Sequence, residues 1–177
     1  MKKKSILDSI SGIEALQVLK ALCASDAGLR KRIESEAEKL LRAVDPEDVA
    51  SDVLFELEGI DVEDLWNRSG PSRHGYSSPD EMAMEMIEEA LRPFEDKIEE
   101  YDRIGMPEQS MLYCMGVLKG IYQFEHETQT EFREWAVDIP GDCFGAILDA
   151  WQKGHTGEHD VEKMNAFLSR ECPEWAE

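Results

Sequence analysis

Residues 111–122 read MLYCMGVLKGIY, and the fold turns on how this run is taken. It is nearly apolar but only 12 residues long, with Lys119 inside it. A membrane helix needs about 20 apolar residues, so the run is too short and too polar to span a bilayer. Met111, Met115, Leu118 and Tyr122 recur at spacings of 4, 3 and 4, the stripe of one helix face. Extended outward, the pattern predicts a central helix over 108–125. Gly116 and Gly120 sit four apart on one of its faces. A glycine in a helix interior costs about 1 kcal/mol relative to alanine. A pair at helical spacing therefore points to close approach of another backbone. The alternative reading is a small-ligand cleft over the same groove.

Helices are predicted on both sides of this run. Ser11 and Glu14 have capping-box spacing and open IEALQVLKAL. GLRKRIESEAEKLLRAV follows, with Leu29, Ile33, Leu40, Leu41 and Val44 able to face a neighbour. Asp45-Pro46 starts a helix with proline in its first position. Val49, Val53 and Leu57 form its stripe, and Gly59 stops it. Residues 61–65 add a short helix ending near Trp66. Ser78 and Glu81 repeat the capping-box spacing around Pro79 and open a long helix to about residue 103. Its expected stripe is Met82, Met86, Ala90 or Leu91, Phe94, Ile98 and Tyr101, with Pro93 interrupting and kinking it. Gly105 and Pro107 mark the next break. EFREWAV reads as a short helix, and Pro140-Gly141-Asp142 leads into CFGAILDAWQKG. DVEKMNAFLSR, with Val161, Met164, Phe167 and Leu168, makes the last helix, after which Trp175 either packs or frays. No run of period two stands out, and no fixed repeat appears.

The expected class is therefore all-α: some seven helices forming an irregular multi-helix bundle or a short stack of antiparallel helical hairpins. A single domain over 1–177 accommodates them, with N-terminal helices (1–67) and C-terminal helices (78–170) sharing one core.

Charge is uneven. The chain of 177 residues has 39 Asp and Glu against 19 Lys and Arg, a net charge of −20. Residues 1–45 hold nine Lys/Arg and seven Asp/Glu, whereas 46–177 hold ten against thirty-two. Such a surface repels nucleic-acid phosphates and anionic lipid heads, so neither direct nucleic-acid binding nor membrane binding is expected. It keeps the protein in solution, and it also offers a docking face to a basic protein partner. Cys23, Cys114, Cys143 and Cys172 form no CxxC pair. No apolar run follows MKKK, so no secretory signal is expected, and the expected location is cytoplasmic.

The motifs that carry chemistry are few. HTGEH (155–159) matches the H-x-x-E-H pattern of a zinc hydrolase, making His155, Glu158 and His159 the metal candidates. That chemistry needs both histidines on one helix face, and Gly154 and Gly157 break the context. Ordinary solvated histidines are the simpler expectation, with His155 in a turn and His159 at the start of the last helix. Glu81, Glu85, Glu88, Glu89, Glu95, Asp96, Glu99 and Glu100 read as the wet side of the long helix. No histidine follows a glutamate at the spacing of a di-iron bundle. No phosphate-binding or nucleophile motif is present, and no cofactor and no catalytic residue are assigned.

LWNRSGPSRHGYSSP (65–79) is a compact basic loop in this acidic chain. Glycine and proline set its backbone, and Leu65, Trp66 and Tyr76 can pin its ends. Arg68 or Arg73 can pair with acidic residues at the start of the next helix, such as Asp80 and Glu81. Alternatively Arg68, Arg73 and His74 face outward and take a carboxylate-bearing peptide, a phosphate or a partner loop. The interaction candidates are Trp66, Arg68, Arg73, His74 and Tyr76.

The stretch from VDPEDVASDVLFELEGIDVEDLWNRSGPSRHGYSSPDEMAMEMIEEALRPF through GVLKGIYQFE and FREWAVDIPGD, roughly 44–150, resembles the helical region found in proteins with SWIM-type zinc fingers. LWNRSG..RHGY..P.E followed by EEALRPF carries most of the likeness. The finger's own CxC and CxH pairs are absent, so zinc-dependent nucleic-acid binding is not implied. The resemblance implies a helical companion domain suited to protein contacts. Trp66, Arg68, Gly70, Arg73, Gly75, Tyr76 and Pro79 match its motif, as a structural corner or as a binding surface. The functional expectation is a protein-interaction or scaffold module without enzymatic activity. The alternative is a small-ligand-binding protein or a metal-dependent hydrolase using the glycine groove or HTGEH.

Overall fold

A computed structural model describes residues 6–72 and 75–175. Eight α-helices and one two-stranded sheet lie among them. The chain divides into two compact units between Ala43 and Val44.

The first unit contains a helical hairpin. Helix α1 (Gly12–Ser25) opens with the capping box: Ser11 Oγ accepts from the Glu14 amide, and Glu14 returns a carboxylate to the Ser11 amide. Asp26 closes α1 and caps α2 (Ala27–Arg42), accepting from the Gly28 and Leu29 amides. No residue of either helix is buried. Leu40, expected to face a neighbour, is 78% exposed.

The second unit is built around the segment quoted first. Helix α3 (Pro46–Glu58) buries Val49, Val53 and Leu57 and ends at Gly59. Helix α4 (Val62–Arg68) buries Leu65. Helix α5 (Pro79–Arg103) has the Ser78–Glu81 capping box. It runs through Pro93 to Arg103, the length expected from the sequence. Proline removes one hydrogen bond to the carbonyl four residues back. Pro93 and Glu89 are both exposed, so that carbonyl has water available. Ala83 and Ile87 are buried where the sequence reading placed Met82, which is only half-buried.

Helix α6 (Pro107–Glu127) touches α3, α5, α7 (Ile139–Gly154) and α8 (Glu158–Glu171). Its buried residues surround the axis: Met111, Cys114, Met115, Val117, Leu118, Ile121 and Phe124. Helices on both sides of the 69–78 loop thus contribute to one hydrophobic core. Trp175 packs edge-on against Tyr122 and Phe144.

The two glycines explain why α6 and α3 lie so close. A β-carbon on Gly116 would sit 2.6 Å from Val49 Cβ and 2.7 Å from the Pro46 carbonyl oxygen. One turn on, Gly120 repeats this against Val53 Cβ at 2.6 Å and the Ala50 oxygen at 2.7 Å. Two valines four apart interlock with two glycines four apart. The groove over Gly116 and Gly120 is filled by α3, which removes the small-ligand cleft considered from the sequence.

Lys119, the charge inside the apolar run, joins three helices. Its Nζ donates to Glu47 Oε1 at 2.6 Å and to Glu171 Oε2 at 2.8 Å, with the lysine side chain 12% exposed. Burial pulls the ammonium's pKa down, but the hydrogen bonds it donates to Glu171 and Glu47 more than offset this and leave it raised. Glu171 is held low by hydrogen bonds from Lys119 and then Arg170. The raised lysine stabilises the fold until pH rises through its folded value. The lowered glutamate does so until pH falls through its folded value. The cluster therefore contributes fully between the ordinary glutamate and lysine values, about 4.3 and 10.4. Lys119→Met is expected to cost about 2 kcal/mol at pH 7, less than breaking a fully buried pair because Glu47 can re-solvate. Urea unfolding measures the loss, which shrinks as pH falls through the folded-state value of Glu171.

Candidate functional site

The loop at 65–79 folds as a short hairpin. Ser69 closes α4, its hydroxyl donating to the Leu65 carbonyl at 2.7 Å. Gly70 takes φ 106° and Gly75 φ 135°, backbone that side chains rarely adopt. Strand β1 (Gly70–Ser72) pairs antiparallel with β2 (Gly75–Ser77), Pro71 opposite Tyr76. No strand was expected here. Three residues are too few to show alternation, and the Gly/Pro content masks the pairing.

Arg68 is engaged. Its Nη1 donates to Glu89 Oε2 at 2.8 Å, further along α5 than Asp80 and Glu81. That hydrogen bond raises its pKa. Both partners are about half exposed, so solvent screens the pair. Tyr76 is 69% exposed. Trp66 stands edge-on to Trp135, with ring centroids 4.6 Å apart. Arg73 and His74 lie outside the described residues.

Trp135 leads from the hairpin to a groove the sequence reading did not identify. Between α6 and α7, the 3-10 turn Glu131–Trp135 is anchored by Phe132, Ala136 and Ile139, all buried. Arg133 ties the turn to Glu125 of α6 at 3.0 Å. Those anchors leave Trp135 half-buried and Val137 68% exposed. Asp138 then takes φ 66° at the start of α7, and its side chain makes no cap hydrogen bond. Left-handed backbone at a non-glycine residue costs about 1 kcal/mol. Against this turn lie Asp80, Glu81 and Met84 from the start of α5.

The resulting groove holds about 440 Å³. Asp80, Glu81, Glu134, Asp138 and Asp142 line it together with Met84, Trp135, Val137 and Ile139, and among the described residues no Lys or Arg does so. Asp80, Glu81 and Asp142 also complement the positive ends of α5 and α7, and Glu81 is committed to the Ser78 cap. A second cleft of about 260 Å³ lies between α5 and α7. Its lining joins the buried Ile98, Ile147 and Trp151 to Ala146 and Ala150 and to the carboxylates of Glu95, Glu99 and Asp102.

HTGEH does not assemble. His155 ends α7 and is buried. Its Nδ1 lies 2.9 Å from the Trp151 carbonyl oxygen, Nε2 lies 3.1 Å from Asp102 Oδ1, and the ring stacks on Trp151. Glu158 and His159 are exposed in the first turn of α8. His155 is thus a packing residue, not the solvated histidine expected, because Asp102 of α5 and Trp151 enclose it. Among the described residues, no group of three His, Cys, Asp or Glu side chains gathers in a metal-binding arrangement.

Burial pushes the Cys143 thiol up to about 11 and Cys172 up to about 12, and raises Cys114 further. Cys23 is half-buried. A thiol reagent at pH 8 is expected to titrate Cys23 alone in the native protein and all four thiols in guanidinium. Fast native reaction of two or more would contradict the packing described.

No protein-family model matches the chain, and neither curated proteins nor solved structures give a significant match. Among the described residues no helix is long and apolar enough to cross a membrane.

Proposed function

We propose that the second unit is a protein-interaction module whose groove between the starts of α5 and α7 takes a basic, amphipathic segment of a partner protein. One observation carries this reading: five carboxylates surround exposed Met84 and Val137, with no cation among the described lining residues. A Lys- or Arg-bearing segment answers both features, its charges meeting the rim and its apolar side chains covering the floor. Arg68 is tied to Glu89, which favours a basic partner over the carboxylate-bearing peptide also considered. Trp66 of α4 braces Trp135 from the side of the hairpin. The resemblance to the SWIM-associated helical region fits, since FREWAVDIPGD and the hairpin both lie inside the resembling stretch. In this reading the protein is a scaffold without catalytic activity, works in the cytoplasm and avoids nucleic acid.

A fluorescence-anisotropy titration tests it. A short labelled peptide alternating Lys or Arg with Leu or Val is expected to bind, and to weaken as salt rises to about 0.5 M. The matching Asp/Glu peptide is expected not to bind. Equal binding of both peptides, or of neither, overturns the reading.

A further inference from the structure

We propose that His155 carries a proton on both ring nitrogens and acts as a pH-sensitive clasp between the ends of α5 and α7. Its two hydrogen-bond partners are both acceptors. Nδ1 lies 2.9 Å from the Trp151 carbonyl oxygen and Nε2 lies 3.1 Å from Asp102 Oδ1, each within hydrogen-bonding range. A carbonyl oxygen and an ionised carboxylate have no proton to give, and neutral imidazole donates from one nitrogen only. The neutral ring would therefore set a lone pair against a carboxylate. The side chain is 7% exposed, so water has little access to come between them. The imidazolium satisfies both contacts, one of them charge-assisted.

The surroundings favour the same charge. Helix α7 ends at Gly154 and α5 at Arg103, so His155 and Asp102 stand where two helices carry the negative ends of their dipoles. The indole of Trp151 stacks on the ring, centroids 4.4 Å apart and planes 7° from parallel, and offers its electron-rich face to a cation. Among the described residues Asp102 is the one carboxylate within ion-pair distance of His155. Glu95 and Glu99 precede Asp102 along α5 in the same cleft and add negative potential. From α6, Cys114 lies near Asp102 as a neutral thiol, since burial and then that carboxylate keep its proton on. The basic Arg103 and Lys153, and Glu158 and His159 at the start of α8, are exposed. Unfolding puts the ring in water, where a histidine gives up its proton near pH 6.5. A proton kept by the folded chain stabilises it in mild acid, and that contribution is lost as pH rises and the folded ring deprotonates. Proton loss turns the Nε2–Asp102 contact repulsive and releases the end of α7 from α5.

Nitrogen-15 NMR of the imidazoles in the full chain tests the protonation, with His155→Gln to assign the signals. At pH 7 both His155 nitrogens are expected to resonate as protonated imidazolium. Asp102→Asn tests the clasp, because an asparagine amide donates to the neutral ring or accepts from the charged one and is indifferent to the proton. In urea unfolding the wild-type folding constant is expected to exceed that of the variant about tenfold near pH 5.5 and to lose this advantage by about pH 9. Titrations elsewhere in the chain cancel in the comparison. A neutral ring with a bare Nε2 at pH 7, or an advantage equal at both pH values, overturns the proposal. Circular dichroism verifies that the variant stays helical. The wild-type NMR signals decide should it lose helix.

Discussion

Alanine at Gly116 or Gly120 is expected to lower the unfolding free energy by about 3 kcal/mol each. The added methyl would enter a space where Val49 or Val53 Cβ lies at 2.6 Å and a carbonyl oxygen of α3 at 2.7 Å. None of these atoms is the free end of a flexible side chain, so α3 as a whole must move. Its withdrawal would loosen Val49, Val53 and Leu57 from the core. Gly145→Ala on α7 is the internal control, since nothing lies within 4 Å of the new methyl. That variant is expected to gain about 0.5–1 kcal/mol from helix propensity alone. Urea unfolding of the three variants separates the cases. If all three shift alike, the α3–α6 contact is not as described.

Reversing two rim charges, Glu134→Lys with Asp142→Lys, is expected to weaken binding of a basic peptide about 100-fold. Two attractions become two repulsions, together worth about 2–3 kcal/mol. Raising the salt should narrow the gap between variant and wild type, because the rim is exposed and its field is screened. Asp142 lies in the first turn of α7, so lysine there also costs a few tenths of a kcal/mol to about 1 kcal/mol of stability. A thermal melt therefore accompanies the titration. An unchanged affinity in a folded variant would remove the carboxylates from recognition.

The scaffold was legible because its devices are local. Ser11, Asp45 and Ser78 announce helix starts within a few residues of themselves. Gly116 and Gly120 announce a close neighbour because two glycines four apart on one face weaken a helix unless another backbone packs there. The sequence could not say that the neighbour is α3, which Val49 and Val53 reach from far along the chain. At 65–79 Leu65 is buried as expected, whereas Tyr76, read as the pin of the other end, is 69% exposed. The ion pair of Arg68 with Glu89, in place of Asp80 or Glu81, depends on where α5 passes the hairpin.

The groove was not legible. Its parts come from residues 80–84 and 134–142, and neither segment stands out alone. EFREWAV read as a short helix, yet the buried spacing of Phe132, Ala136 and Ile139 turns Trp135 and Val137 outward. The acid–apolar succession Glu134-Trp135-Ala136-Val137-Asp138 is the signal that marks it. HTGEH misled in the opposite way. Its letters fit a metal motif, while the burial of His155 depends on Asp102, which no local pattern reveals.

The most direct test of the central claim is an amide and indole chemical-shift map of the protein titrated with the basic peptide. The Trp135 indole and the amides of residues 80–84 and 134–142 are expected to move first and furthest, with α3 and the body of α6 unmoved. Shifts centred on the cleft of Glu95, Glu99 and Asp102, or spread evenly over the acidic surface, would contradict a built site at the groove.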